Sequence, residues 1–197
     1  MIFMDNLIAR IQRLIDFRRE IGQSIDQHFL PGLSREYIQE KTSQYPFYFP
    51  EALIELYEWH NGTNDEDFLM FRDMAWLSLE NAISEYELMM EAFWSEGDNE
   101  EIGLEPEKMF PFAGFTGFNL YLSYPGQRMC PTLALPIICT GKGVLEPYYD
   151  SFTSMLDTVE EWFKVGEHNE YSCKAQEGIE REIWRKHNSD IFRITGF

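Results

Sequence analysis

The chain has 197 residues, 44% of them hydrophobic and 16% aromatic, with a formal net charge of −18 and a sequence pI near 4.5. That apolar content supports a substantial core and excludes a chain disordered throughout. The acidity excludes direct binding to nucleic acid or to an anionic membrane, which need concentrated positive charge, and it leaves two readings, a basic partner or plain solubility.

In chain order, Met1–Asp5 meets a charge before any long apolar run develops, so neither a signal peptide nor a membrane span is expected. Asp5 is a plausible N-cap for a surface-docked first helix, in which Leu7, Ile11, Leu14, Ile15 and Arg18 follow helical spacing. Pro31-Gly32 breaks that pattern, a short helix is predicted over Arg35–Glu40, and Thr42–Pro46 reads as a loop. The next stretch, Phe49–Thr63, has a readable start and end: Pro50 suits a first helical position, and Asn61-Gly62 suits a left-handed exit. At 100° per residue Glu51, Glu55 and Glu58 share one narrow face, while Ala52, Leu53, Ile54, Leu56, Tyr57, Trp59 and His60 fill the wide remaining arc. This helix is expected to be largely buried.

Thr63–Asp67 reads as an exposed turn, Phe68–Phe71 as a short buried strand and Ala75–Leu77 as another strand. A helix follows with Leu79, Ile83, Tyr86, Met90 and Phe93 on one face, ending near Gly97. From Glu80 to Glu107 carboxylates recur without one lysine or arginine, which makes this the most polarised segment of the chain. After Phe110 the texture changes to short apolar runs punctuated by glycine and proline. Asn119–Tyr124, Thr132–Leu135, Ile137–Thr140 and Val144–Tyr149 read as antiparallel strands. A helix over Phe152–Phe163 carries Phe152, Met155, Leu156 and Val159 on one face, and a last one near Ala175–His187 carries Ile179, Ile183 and Trp184. The expected fold class is therefore α+β, with a mixed, mainly antiparallel sheet from the segments around 68–79 and 110–149 packed against the central helix and its neighbours.

The proline-started apolar helix ending in Asn61-Gly62, followed by Trp76-Leu77-Ser78-Leu79-Glu80-Asn81-Ala82, resembles the SUKH superfamily, as do Phe110-Pro111-Phe112-Ala113-Gly114 and the Tyr149-Asp150-Ser151-Phe152 start of a helix containing Trp162-Phe163. The resemblance covers roughly residues 45–165 and implies one SUKH-like domain over 1–197, with 166–197 a helical C-terminal extension packed on it. That superfamily includes fungal cell-wall synthesis regulators and many bacterial immunity proteins. One departure lies in Phe115-Thr116-Gly117-Phe118, where the family tends to have small or acidic residues.

His60 beside Asp65, Glu66 and Asp67 is the most suggestive chemical grouping, since a titrating histidine can ligate a metal or act as a base. No second histidine stands at a ligand spacing, so a core-edge histidine hydrogen-bonded to backbone is the simpler reading. Asp65–Asp67 and Glu96–Glu101 lack the ordered alternation of a Ca²⁺ loop and read as solvated charge. Thr140-Gly141-Lys142-Gly143 lacks the first glycine and the final Ser/Thr of a phosphate loop and reads as a hairpin turn, and Gly114–Gly117 contains no serine for a nucleophile elbow. Cys130, Cys139 and Cys173 form no CxxC pair and leave one unpaired whatever bridge is drawn, which fits a reducing cytoplasm.

With no grouping of nucleophile, base and orienting residue, the chain reads as a binding protein, not an enzyme, with no cofactor and no metal. The resemblance implies a cytoplasmic immunity protein that sequesters a toxin, often a nuclease. An acidic surface could cover the basic groove such a toxin needs. The candidate contacts are Glu91, Glu96, Asp98, Glu100 and Glu101, with Phe115 and Phe118 as a second, apolar candidate. The rival is an adaptor or regulatory scaffold of the cell-wall regulator type, and a hydrolase using His60 is the third reading.

Overall fold

The computed structural model describes residues 7–46, 49, 51–64, 68–72, 74–96, 109–115, 118–123, 137–141, 144–168, 173–174 and 177–190. Its first half is helical: α1 (Leu7–Glu20), α2 (Arg35–Thr42), α3 (Glu51–Trp59) and α4 (Leu79–Glu96), with the short strands β1 (Phe29–Pro31), β2 (His60–Thr63) and β3 (Ala75–Trp76) between them. The second half supplies β4 (Met109–Phe115), β5 (Phe118–Ser123), β6 (Ile137–Gly141) and β7 (Val144–Tyr149), then α5 (Phe152–Val165), β8 (Glu167–His168), β9 (Cys173–Lys174) and α6 (Glu177–His187). Strands β3-β4-β5-β6-β7 form one sheet in chain order, and every described pairing is antiparallel. This is the α+β class that the patterning predicts.

The face assignments follow periodicity. On α3, Leu53, Ile54, Leu56 and Tyr57 are buried, while Glu51 and Glu55 are exposed and Glu58 is half-buried. Tyr57 and Phe49 meet Phe110 of β4, with ring centroids 6.4 and 5.0 Å away, and Phe152 of α5 stands edge-on to Phe112 at 4.6 Å. The core thus lies where α3 and α5 meet the first strands of the sheet. A capping box of Ser151 and Ser154 starts α5, and Phe152, Met155, Leu156 and Val159 are all buried. The β4–β5 register slips between Pro111 and Ala113, a bulge at Phe112, whose carbonyl accepts the Leu77 N–H at 3.1 Å.

Two expectations are corrected. Phe68–Phe71 is a buried turn, not a strand, because part of its backbone is satisfied by a side chain: the Arg18 guanidinium donates to the carbonyls of Leu69 and Met70 at 3.1 and 3.4 Å. A four-residue apolar run carries no periodicity that separates strand from buried turn. The first helix docks by the face its spacing predicts: Leu7, Ile11, Leu14, Ile15 and Arg18 are buried, while Ala9, Arg13 and Asp16 are exposed. Arg18 also donates to Gln23 Oε1 at 2.5 Å and lies over the rings of Phe68 and Phe163. Finally, His60 leaves the helix and opens β2, which pairs with the unanticipated β1.

Gly62 has the left-handed backbone expected of it, but Asn61-Gly62 lies inside β2 and not in a turn at the helix end. Gly62 has φ +74°, and a Cβ there would sit 2.6 Å from the Leu77 carbonyl, so only glycine allows this approach. Thr140-Gly141 leads into a hairpin partner: Gly141 pairs with Val144, joining strand to strand and not strand to helix. Thr132–Leu135, Pro50 and Asp5 lie outside the described residues.

Candidate functional site

The close backbone approach at Gly62 brings Asn61 to the start of α4. Its Oδ1 accepts the Leu79 N–H at 2.8 Å and its Nδ2 donates to Glu80 Oε2 at 2.9 Å, while Ser78 Oγ accepts the Asn81 N–H at 3.1 Å. Two side chains thus satisfy backbone donors at this helix start, and Glu80 adds an acid where the helix dipole favours one.

Helix α2 lies alongside. Ser34 caps it by accepting the Tyr37 N–H at 3.2 Å, and Arg35 reaches back to α3, meeting Glu51 at 2.6 Å and Glu58 at 2.8 Å. Those contacts, with the Glu58 hydrogen bond foremost, raise the Arg35 pKa above its ordinary value. From this platform the Tyr37 hydroxyl donates to Glu80 Oε1 at 3.0 Å. Tyr45, stacked edge-on against Tyr86 at 5.1 Å, donates to Glu87 Oε1 at 2.8 Å. Two carboxylates two turns apart on α4 are therefore held by neutral phenols.

The electrostatics are consistent with that geometry. Burial pushes the Glu80 carboxyl up, but the hydrogen bonds from Asn61, its own backbone and Tyr37, with Lys41 nearby, leave it below its ordinary value. The Tyr37 phenol is raised by its bond to Glu80, and the Tyr45 phenol by burial and then by Glu87. Below this surface Tyr57, whose hydroxyl donates to the Leu77 carbonyl at 3.2 Å, is pushed far above the phenol range by burial.

Of the residues predicted from sequence, Glu91 is exposed on α4 and Glu96 is the last residue of that helix. Asp98, Glu100 and Glu101 lie outside the described residues. Phe115 and Phe118 end β4 and begin β5 and face each other as a pair across that hairpin. His60 Nδ1 is 3.2 Å from the Leu30 carbonyl, and its ring is 4.9 Å from that of Phe29 and 4.5 Å from that of Trp59. Among the described residues no group of three or more His, Cys, Asp or Glu side chains is placed to hold a metal ion, and no helix is long and apolar enough to cross a membrane.

Sequence reasoning missed Glu80, Glu87, Tyr37 and Tyr45 as one surface. The available signal was the seven-residue spacing of Glu80 and Glu87, which puts both on the face of α4 that carries Glu91.

Residues 32–158, more than half of the chain, match the SMI1 / KNR4 family (SUKH-1). The chain belongs to that family. No curated protein matches it. The SUKH-1 segment begins after β1 and ends within α5, so α1 and α6 lie outside it. That segment holds 22 carboxylates against 6 lysines and arginines, a balance of −16 out of the whole chain's −18. The SUKH-1 unit is the acidic part of the molecule, and the flanking segments are close to neutral.

Proposed function

We propose that this SUKH-1 protein is a non-enzymatic immunity protein that neutralises a toxin domain by covering its basic surface, acting in the cytoplasm. The observation that carries this reading is the concentration of −16 of charge within residues 32–158, with Glu80 and Glu87 on its surface hydrogen-bonded by phenols. A nuclease toxin must present positive charge to phosphate, and an acidic protein competes for that surface and is drawn to it by long-range attraction. Family membership supports an immunity or regulatory role and leaves the choice between them to experiment.

The experiment is to recover the protein's partner by pull-down from its host cells and to titrate the purified protein against any toxin domain so recovered. Loss of toxin activity at one equivalent, with a complex that survives gel filtration at low salt and weakens as salt rises, supports neutralisation. Full toxin activity at excess protein, together with recovery of the protein in an assembly of the host's own cell-wall machinery, would assign it to the regulatory branch instead.

A further inference from the structure

Many described carboxylates stand beside a cation. Asp16 and Asp26 meet Arg19, Asp157 meets Arg10, Glu160 meets Lys164, Glu161 meets Lys186 and Glu180 meets Arg72. On helix α4, Glu80 and Glu87 are instead hydrogen-bonded by Tyr37 and Tyr45, with Lys41 near Glu80. Glu80, Ser84, Glu87, Leu88 and Glu91 are all exposed, and at 100° per residue they share one face, opposite the buried Leu79, Ala82, Tyr86 and Met89. The stripe runs about 16 Å along the helix.

Two features of that face point outward. Leu88 is 56% exposed, more than the other exposed large hydrophobic side chains described, and it sits between Glu87 and Glu91. Glu80 and Glu87 are held in place by Tyr37 and Tyr45 without losing charge, so less conformational freedom is lost when a cation arrives.

We infer that the outer face of α4 is a docking surface for a basic, partly apolar segment of a protein partner. An apolar side chain of that segment seats on Leu88, and lysines or arginines on either side reach Glu80, Glu87 and Glu91. Charge complementarity selects this occupant: an acidic or neutral segment meets repulsion or unpaired carboxylates, and a purely cationic one leaves Leu88 uncovered. The inference shares with the reading above the premise of a protein partner, but not the premise that the partner is a toxin.

The test uses the full chain, a synthetic amphipathic lysine/leucine helix as probe and polylysine as control. Amide shift changes are expected to cluster at residues 80–91 when the lysine/leucine helix is added. Leu88→Ser is expected to weaken its binding by about tenfold, as for loss of a central apolar contact, while leaving polylysine binding unchanged. Glu87→Gln with Glu91→Gln should weaken both ligands and flatten their salt dependence. Shift changes centred on another face, or equal affinity of wild type and Leu88→Ser for the lysine/leucine helix, would overturn the inference. If the probe docks on α4 but the toxin is not neutralised, the immunity reading fails and the docking surface stands. If the toxin is neutralised but Leu88→Ser binds the lysine/leucine helix as well as wild type does, the docking surface fails and the immunity reading stands.

Discussion

Arg18 lies outside the SUKH-1 segment, yet it holds part of that segment in shape. Its side chain is fully buried, donates to Gln23 Oε1, Leu69 O and Met70 O, and lies 4.4 and 4.9 Å from the centres of the Phe68 and Phe163 rings. Arg18→Met roughly preserves the volume and removes every donor. Each carbonyl deprived of its donor in a buried site costs about 1–3 kcal/mol, and the two ring contacts contribute about 0.5–2 kcal/mol more. Against this, methionine avoids the desolvation of a buried guanidinium, which offsets part of the loss. The net destabilisation should be about 2–4 kcal/mol, a large share of the ~5–15 kcal/mol typical of a domain. Urea unfolding followed by tryptophan fluorescence measures it as a lower midpoint at unchanged slope. Arg18→Lys should recover only part of the loss, because an ammonium cannot span Gln23 and the two carbonyls as a fork does. A midpoint within about 0.5 kcal/mol of wild type for Arg18→Met would refute the view that α1 supports the Phe68–Phe71 turn.

The other predictions also rest on single contacts. Leu56→Ala, at a fully buried position on α3, should destabilise by about 2–5 kcal/mol in the same assay, while Glu55→Ala on the exposed face should change stability by less than about 0.5 kcal/mol; equal effects would show that the faces are misassigned. Gly22 and Gly62 both have positive φ, but a Cβ at Gly22 meets nothing within 4 Å, whereas at Gly62 it collides with the Leu77 backbone. Gly22→Ala should therefore cost about 1–2 kcal/mol, the left-handed penalty alone, and Gly62→Ala clearly more; similar midpoints for the two would contradict the close approach. The Glu80 carboxyl is held below its ordinary value of 4.5, so the charged form is favoured in the folded state. Its contribution is fully present above that ordinary value and is lost as pH falls through the lower folded value. Glu80→Gln should remove part of the acid-side decline in stability between about pH 5 and pH 3 and leave the neutral-pH slope alone; unfolding curves that stay parallel to wild type across that range would discount the Asn61 and Tyr37 hydrogen bonds.

Much of the fold was legible along the chain because its cues are local. The narrow Glu51/Glu55/Glu58 face, the Phe152/Met155/Leu156/Val159 stripe and the left-handed backbone at Gly62 each depend on residues within a turn or two, where periodicity and backbone preference act directly. The acidic character of the candidate surface, and Glu91 within it, came from composition in the same way. What tertiary structure decided are the partners of polar groups far apart in sequence. Phe68–Phe71 is a turn because Arg18, some fifty residues earlier, supplies hydrogen bonds to its carbonyls in place of a neighbouring strand. Glu80 and Glu87 form one surface because Tyr37 and Tyr45, forty-three and forty-two residues away, reach them across the packing of α2 and its loop beside α4. His60 is a strand residue because Pro31 of β1 pairs with it, and Asn61 caps a helix that starts eighteen residues later. Local pattern sets which residues a segment buries, but a buried or fixed polar group takes whichever partner the folded chain brings within about 3 Å, and that choice is made only when distant segments meet.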